Sequence, residues 1–98
     1  MVYNNFVLVE KFCLHHNISM SFINSLGESG LIEVFVIEDS KYLAYDTLQN
    51  IEKMMYLHVE LGVNVEGIEV IENLLQQMHD LHKELKAAKN KLRLFDID

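Results

Sequence analysis

Apolar residues recur at helical spacing along most of this chain, and Asn, Ser and Gly mark the breaks between runs. Phe6, Val7 and Leu8 form a short apolar run that predicts a brief strand or lead-in. Val9, Phe12 and Cys13 then share one face at 3.6-residue spacing, which predicts a helix from Val9 to His16. Asn17 interrupts it. Ser19 is a good N-cap for a second helix with Phe22, Ile23 and Leu26 inward, and Gly30 suits a left-handed helix terminus. Two β-rich runs follow, Leu31–Ile37 and Lys41–Tyr45, around the turn residues Glu38, Asp39 and Ser40, which is a hairpin signal. Asp46 is placed to cap a third helix carrying Leu48, Ile51, Met55 and Leu61 and stopping at Gly62; Asn64 is placed to cap the last helix.

That last helix holds the strongest periodicity. Ile71, Leu74, Met78, Leu81, Leu85, Ala88, Leu92 and Phe95 alternate in steps of three and four, an a/d heptad seam. At 1.5 Å per residue the seam runs about 36 Å. A globule built from the preceding residues has a diameter of only about 28 Å. The helix should overhang its own body, and an overhanging apolar stripe needs another chain to cover it. The expectation is one domain over residues 1–98. A body spans residues 5–62, residues 64–95 form the C-terminal helix and coiled coil, and the eight seam residues are the dimerisation surface.

Composition narrows the classes. The chain has 98 residues, half of them hydrophobic, with no apolar run long enough for a bilayer and no basic, small-residue leader at its start. One cysteine forms no internal disulfide, so the expected setting is the reducing cytoplasm. Charge is uneven. Residues 1–78 carry three lysines against eleven acids, whereas residues 79–98 carry five bases against four acids. No Lys or Arg lies between Met20 and Val36. An acidic body repels nucleic acid, whose affinity comes from cations that displace counterions, and favours a basic protein partner.

Reactive side chains do not assemble into a familiar site. Cys13, His15 and His16 are soft donors, yet positions i, i+2 and i+3 do not share one helical face, and no CxxC or HxxxH accompanies them. His79 and His82 stand at i and i+3 on the flank of the seam, without an evident third ligand. Nucleophile elbow, phosphate-binding loop and dinucleotide fingerprint are all lacking. The expectation is a non-enzyme without metal or cofactor.

Helix, turn, helix, hairpin wing, then two helices of which the last is a coiled coil: this order resembles the MerR-type winged helix-turn-helix family. Gly30-Leu31 resembles that family's Gly-Leu at the end of the recognition helix. Lys41-Tyr42-Leu43-Ala44-Tyr45-Asp46 resembles its wing motif, and Leu61-Gly62 its Leu-Gly before the last helices. The fold class implied is mainly α with a small β-hairpin. Where the family carries cations that grip phosphate, the resemblance places Asn24 and Glu28, anchored on Gly30-Leu31, and Leu43 in the wing motif. A scaffold without those cations has lost the contacts that fix register on DNA.

Within the family, the block Phe12-Cys13-Leu14-His15 with the Ile18-Ser19 restart resembles the chaperone-modulator proteins. That resemblance implies a protein that binds the J domain of a DnaJ-type co-chaperone and inhibits both its co-chaperone activity and its DNA binding. A MerR-family DNA-binding transcriptional regulator is the alternative. J domains engage their chaperone through a basic helix, so the complementary acids here are Glu33, Glu38 and Asp39 on the hairpin, Glu60 near the end of the third helix, and Glu66 and Glu69 on the fourth. Phe35 and Val63 are the expected apolar anchors beside them. Neither nucleic acid nor membrane is expected as a partner.

Overall fold

In the computed structural model, which describes residues 5–95, four helices and three short strands follow one another in the order β1 (Phe6–Leu8), α1 (Val9–His16), α2 (Met20–Glu28), β2 (Phe35–Ile37), β3 (Ser40–Ala44), α3 (Leu48–Val59) and α4 (Val65–Phe95). The protein is mainly helical, with a small antiparallel sheet and a long C-terminal helix. No helix among the described residues is long and apolar enough to cross a membrane.

The first two helices are fixed by their ends. Asn17 adopts the left-handed conformation (φ 52°), and the amides of Asn17 and Ile18 return to the carbonyls of Leu14 and Cys13. Gly30 (φ 82°) closes α2 in the same way, with the Leu31 amide on the Leu26 carbonyl. Both patterns are Schellman closures, which satisfy carbonyls a helix end would otherwise leave bare. Between them, the Ser19 hydroxyl accepts the Phe22 amide at 3.2 Å and starts α2. The helix-turn-helix is therefore set by local chemistry on both sides of its turn.

Strand β3 lies at the centre of the sheet. β1 pairs with it antiparallel, Phe6 opposite Ala44 and Val7 opposite Leu43, and β2 pairs on its other edge, Phe35 opposite Tyr42 and Ile37 opposite Ser40. Strand alternation sorts the two faces. Phe6 stands edge-on to Phe35 at 5.1 Å and to Tyr42 at 6.5 Å. Leu43, fully buried, points into the core with Val7 packed beside it. Glu38 (φ 51°) and Asp39 (φ 66°) form the two-residue turn between β2 and β3. Positive φ at both central positions is the type I′ geometry, which matches the twist of the strands and suits Asn-Gly far better than Glu-Asp.

Four expectations need correction. The strand expected over Leu31–Ile37 shrinks to Phe35–Ile37, because the Leu31 and Ile32 amides are already bonded to the Leu26 carbonyl. Leu31, Ile32 and Val34 pack against the core from this irregular segment. Asp46 caps nothing: Tyr45–Thr47 is a 3-10 turn in which the Thr47 hydroxyl donates to the Ala44 carbonyl at 2.7 Å, and no side chain caps α3. Leu61 lies beyond the end of α3 and is 60% exposed, and Met54 takes the inner position instead. Leu43, aligned with a phosphate-gripping arginine, occupies the core.

Eleven buried side chains make that core. They come from α1 (Val9, Phe12, Cys13), α2 (Phe22, Ile23, Leu26), β3 (Leu43), α3 (Ile51, Met54, Met55) and α4 (Ile68). Among the described residues the fourth helix contributes one fully buried side chain, Ile68, with Val65 packed against the core beside it. Capped by the Asn64 side chain, which accepts the Gly67 amide at 2.8 Å, α4 then runs for 31 residues, about 46 Å at 1.5 Å each. The molecule measures 62 × 35 × 21 Å with a radius of gyration of 18.4 Å. A compact chain of this length would have a radius near 13 Å.

Leu43→Arg should abolish folding, because an unpaired cation would have to enter the core between α1 and β1. Leu43→Ala should cost about 2–5 kcal/mol in urea denaturation. Unchanged stability of Leu43→Arg would contradict the inward orientation of this side chain.

Candidate functional site

The surface that a helix-turn-helix presents to its target is the outer side of the second helix. Here that side carries Met20, Ser21, Asn24, Ser25 and Glu28, the inner positions being Phe22, Ile23 and Leu26. Not one of these is cationic. The nearby Lys41, from β3, donates its ammonium to the Asn24 Oδ1 at 3.3 Å, which occupies Asn24 and turns the cation along the protein surface. Glu28 is exposed.

Two hollows flank α2. On the side of the α3–α4 corner lies one of about 580 Å³, lined among others by Ser21, Ser25, Glu28, His58 and Glu66. His58 is held in it by two contacts. Its ring stacks on Phe22 at 4.2 Å and an interplanar angle of 12°, and its Nδ1 lies 2.9 Å from the Val63 carbonyl. On the side of the hairpin lies a hollow of about 340 Å³, lined by Asn24, Glu28, Val34, Val36 and Lys41. Glu28 borders both. The polar groups of the first are mostly hydroxyls and carboxylates, which suit a hydrogen-bonding or cationic group better than a phosphate.

The acids expected to meet a partner fall in two separate places. Glu38 and Asp39 are exposed at the hairpin tip, Glu33 is exposed on the irregular segment that leads into β2, and Glu60, Glu66 and Glu69 are exposed around the α3–α4 corner. Of the five hollows described, none is lined by acids of both sets. Phe35 and Val63 are half-buried. Phe35 is engaged with Phe6, and Val63 packs against the core, so each anchors its own loop.

The seam residues behave differently. Ile71 is half-buried where α4 leaves the body, and beyond it the stripe is bare: Leu74 is 52% exposed, Leu81 65% and Phe95 85%, with Met78, Leu85, Ala88 and Leu92 exposed as well. The sequence pattern did not single out Leu14, 82% exposed on α1, or the partly exposed Met20 beside it. Leu14 is out of phase with the Val9, Phe12 and Cys13 face, and that phase mismatch is the available signal.

Among the described residues no three His, Cys, Asp or Glu side chains group as metal ligands. Cys13 is buried, apart from His15 and His16. The two imidazoles meet edge to face at 4.8 Å, and His16 Nε2 lies 3.8 Å from Glu52 Oε2. His79 and His82 are exposed on α4.

A helix-turn-helix with a β-hairpin wing and a long C-terminal helix defines the class. A family model described as MerR HTH family regulatory protein matches residues 7–90. The match spans most of the chain, and the chain belongs to that family. No curated protein and no solved structure matches it.

Burial pushes the Cys13 thiol above its ordinary value of 9.0 by disfavouring the thiolate. The folded state therefore prefers the neutral thiol. Its contribution is fully present below the ordinary value and is lost as pH rises through the raised one. Thiol reagents should label the folded protein slowly at about pH 8 and rapidly in denaturant. The melting temperature should fall as pH climbs past about 9. Equal labelling rates in the two states would show the thiol to be accessible.

Proposed function

We propose that this chain is a regulatory protein that acts on another protein: a chaperone modulator that covers the J domain of a DnaJ-type co-chaperone. In doing so it blocks collaboration with the chaperone and restrains the co-chaperone's own DNA binding. The carrying observation is the outer side of α2, which has lost every cation while the helix-turn-helix that presents it is intact. The resemblance of Phe12-Cys13-Leu14-His15 and Ile18-Ser19 to the chaperone modulators supplies the partner. Excess acid on residues 1–78 supplies the charge to attract a basic helix. No step in this role is chemical, and it needs neither metal nor cofactor. A cytoplasmic location is part of the proposal.

Dimerisation belongs to the same proposal. Residues Ile71 to Phe95 would pair as a two-chain coiled coil. The first part of α4 carries Glu66, Glu69 and Glu72, whereas its last part carries Lys83, Lys86, Lys89, Lys91 and Arg93 with a single acid, Glu84. Parallel chains would stack like charges at both ends, and antiparallel chains lay the basic end of one helix on the acidic root of the other. Opposite charge therefore favours the antiparallel pair.

A short duplex should not be retarded at about 0.15 M salt. Asn24→Arg with Glu28→Arg is the informative variant, because position 43 is closed by the core. A salt-sensitive shift by the wild type would sink the modulator and revive the transcriptional regulator.

A labelled J domain should bind, and added salt should slow association more than it speeds dissociation. Replacing Leu81 and Leu85 with Lys should give a monomer by light scattering, with the body still folded. A wild type that is already monomeric at high concentration would remove the dimer.

A further inference from the structure

We propose that a furrow beside the helix-turn-helix turn docks an amphipathic helix of a partner protein, one whose apolar edge is bordered by Lys or Arg. The furrow is lined by Leu14, Ile18 and Met20 and bordered by Glu10 and Asp39. The proposal rests on the protein-binding reading above and adds the surface, which reaches Asp39 at the hairpin, lies away from the α3–α4 corner and includes Met20 at the start of α2.

Two adjoining hollows make the furrow. One, of about 370 Å³, is lined by Glu10, Cys13, Leu14, Asn17, Ile18 and Met20. The other, of about 210 Å³, runs on past Leu8 and Val9 to Asp39 and Lys41 at the hairpin. Glu10 and Met20 border both, so the surface is continuous from the turn at Asn17 to the hairpin tip. Leu14 is 82% exposed and Met20 37%. A bare leucine beside a partly bare methionine, at the turn between two helices, is the pattern that receives the apolar edge of a helix.

Charge chooses the occupant. Glu10 borders both hollows and Asp39, next in sequence to Glu38, borders the second, and all three acids are exposed. The lining includes one cation, Lys41, and its ammonium is directed to Asn24. Lys11, next in sequence to Glu10, lines a different hollow with His15 and Glu52. An exposed apolar surface bordered by carboxylates complements a helix whose apolar edge is bordered by cations. The tip also holds its acids against its own backbone preference. Both Glu38 and Asp39 sit at positive φ, where Asn-Gly would be the less strained pair. Strain kept at an exposed position is expected where the side chains serve a contact.

Fluorescence anisotropy decides it, using two probes: a labelled J domain of a DnaJ-type co-chaperone and a labelled amphipathic peptide of Leu and Lys. Leu14→Asp with Met20→Glu changes exposed positions and should leave the melting temperature and the oligomeric mass as they are. It should weaken both probes about tenfold or more. Glu38→Asn with Asp39→Gly should raise the melting temperature by a few degrees while weakening both probes, a trade of stability against binding. Glu66→Lys with Glu69→Lys, at the α4 root, should change J-domain binding less than either.

Tight J-domain binding that ignores the furrow variants would overturn the furrow and leave the modulator standing. Peptide binding that depends on the furrow, with no J-domain binding, would keep the furrow and remove the J domain as partner. If Leu14→Asp with Met20→Glu dissociates the dimer, the basic end of a second copy's α4 is the occupant and the proposal fails. Failure of both probes to bind the wild type overturns it as well.

Discussion

A helix of 31 residues that buries one side chain in its own body is the constraint on which this molecule turns. Helices of this kind gain most of their stability from packing an apolar stripe, not from intrinsic propensity. Ile68 anchors the root of α4, Ile71 is half-covered, and from Leu74 onward the stripe is open to water. Covering a large apolar side chain is worth about 1.5–3 kcal/mol. Several such residues in register amount to a strong drive for a second surface. The polarity of charge along the helix, acidic root and basic end, then bears on which way that surface runs.

The body shows how a winged helix-turn-helix is held together without help from the outer side of its second helix. Everything that holds the helix-turn-helix together faces inward or lies in the backbone: the Ser19 cap, the left-handed Asn17 and Gly30, and the packing of Phe22, Ile23 and Leu26. The outer positions of α2 contribute little to that arrangement, so Asn24 and Glu28 can differ from a DNA reader without a cost in folding. Leu43 is another matter. It belongs to the core through its place on β3, and its lack of charge is a requirement of the fold, which says nothing about the ligand. Of the three positions that the family resemblance sets against cations, only Asn24 and Glu28 lie outside the core.

Much of the architecture was legible in the sequence. The α1 and α2 limits, the Ser19 and Asn64 caps, the break at Asn17 and the left-handed Gly30 are all local signals, decided by a few neighbouring residues. Two errors arose where neighbouring segments compete for the same groups, and a third feature lay beyond local reach. Leu31 and Ile32 look like strand, but their amides are spent closing α2. Asp46 looks like a cap, but Thr47 reaches the Ala44 carbonyl and a 3-10 turn takes its place. The pairing of β1 with β3 depends on residues almost forty positions apart, which periodicity cannot see. Candidate acids were visible as residues and not as a surface, and Leu14 became informative only once its helix had an inside.

Amide hydrogen exchange over a dilution series tests most directly whether α4 is covered by another chain. The account predicts strong protection of residues 74–95 in concentrated protein, lost on dilution, while the amides of α1, α2 and α3 exchange at unchanged rates. Protection of those residues that is the same at every concentration would contradict it, because the stripe would then be covered within a single chain.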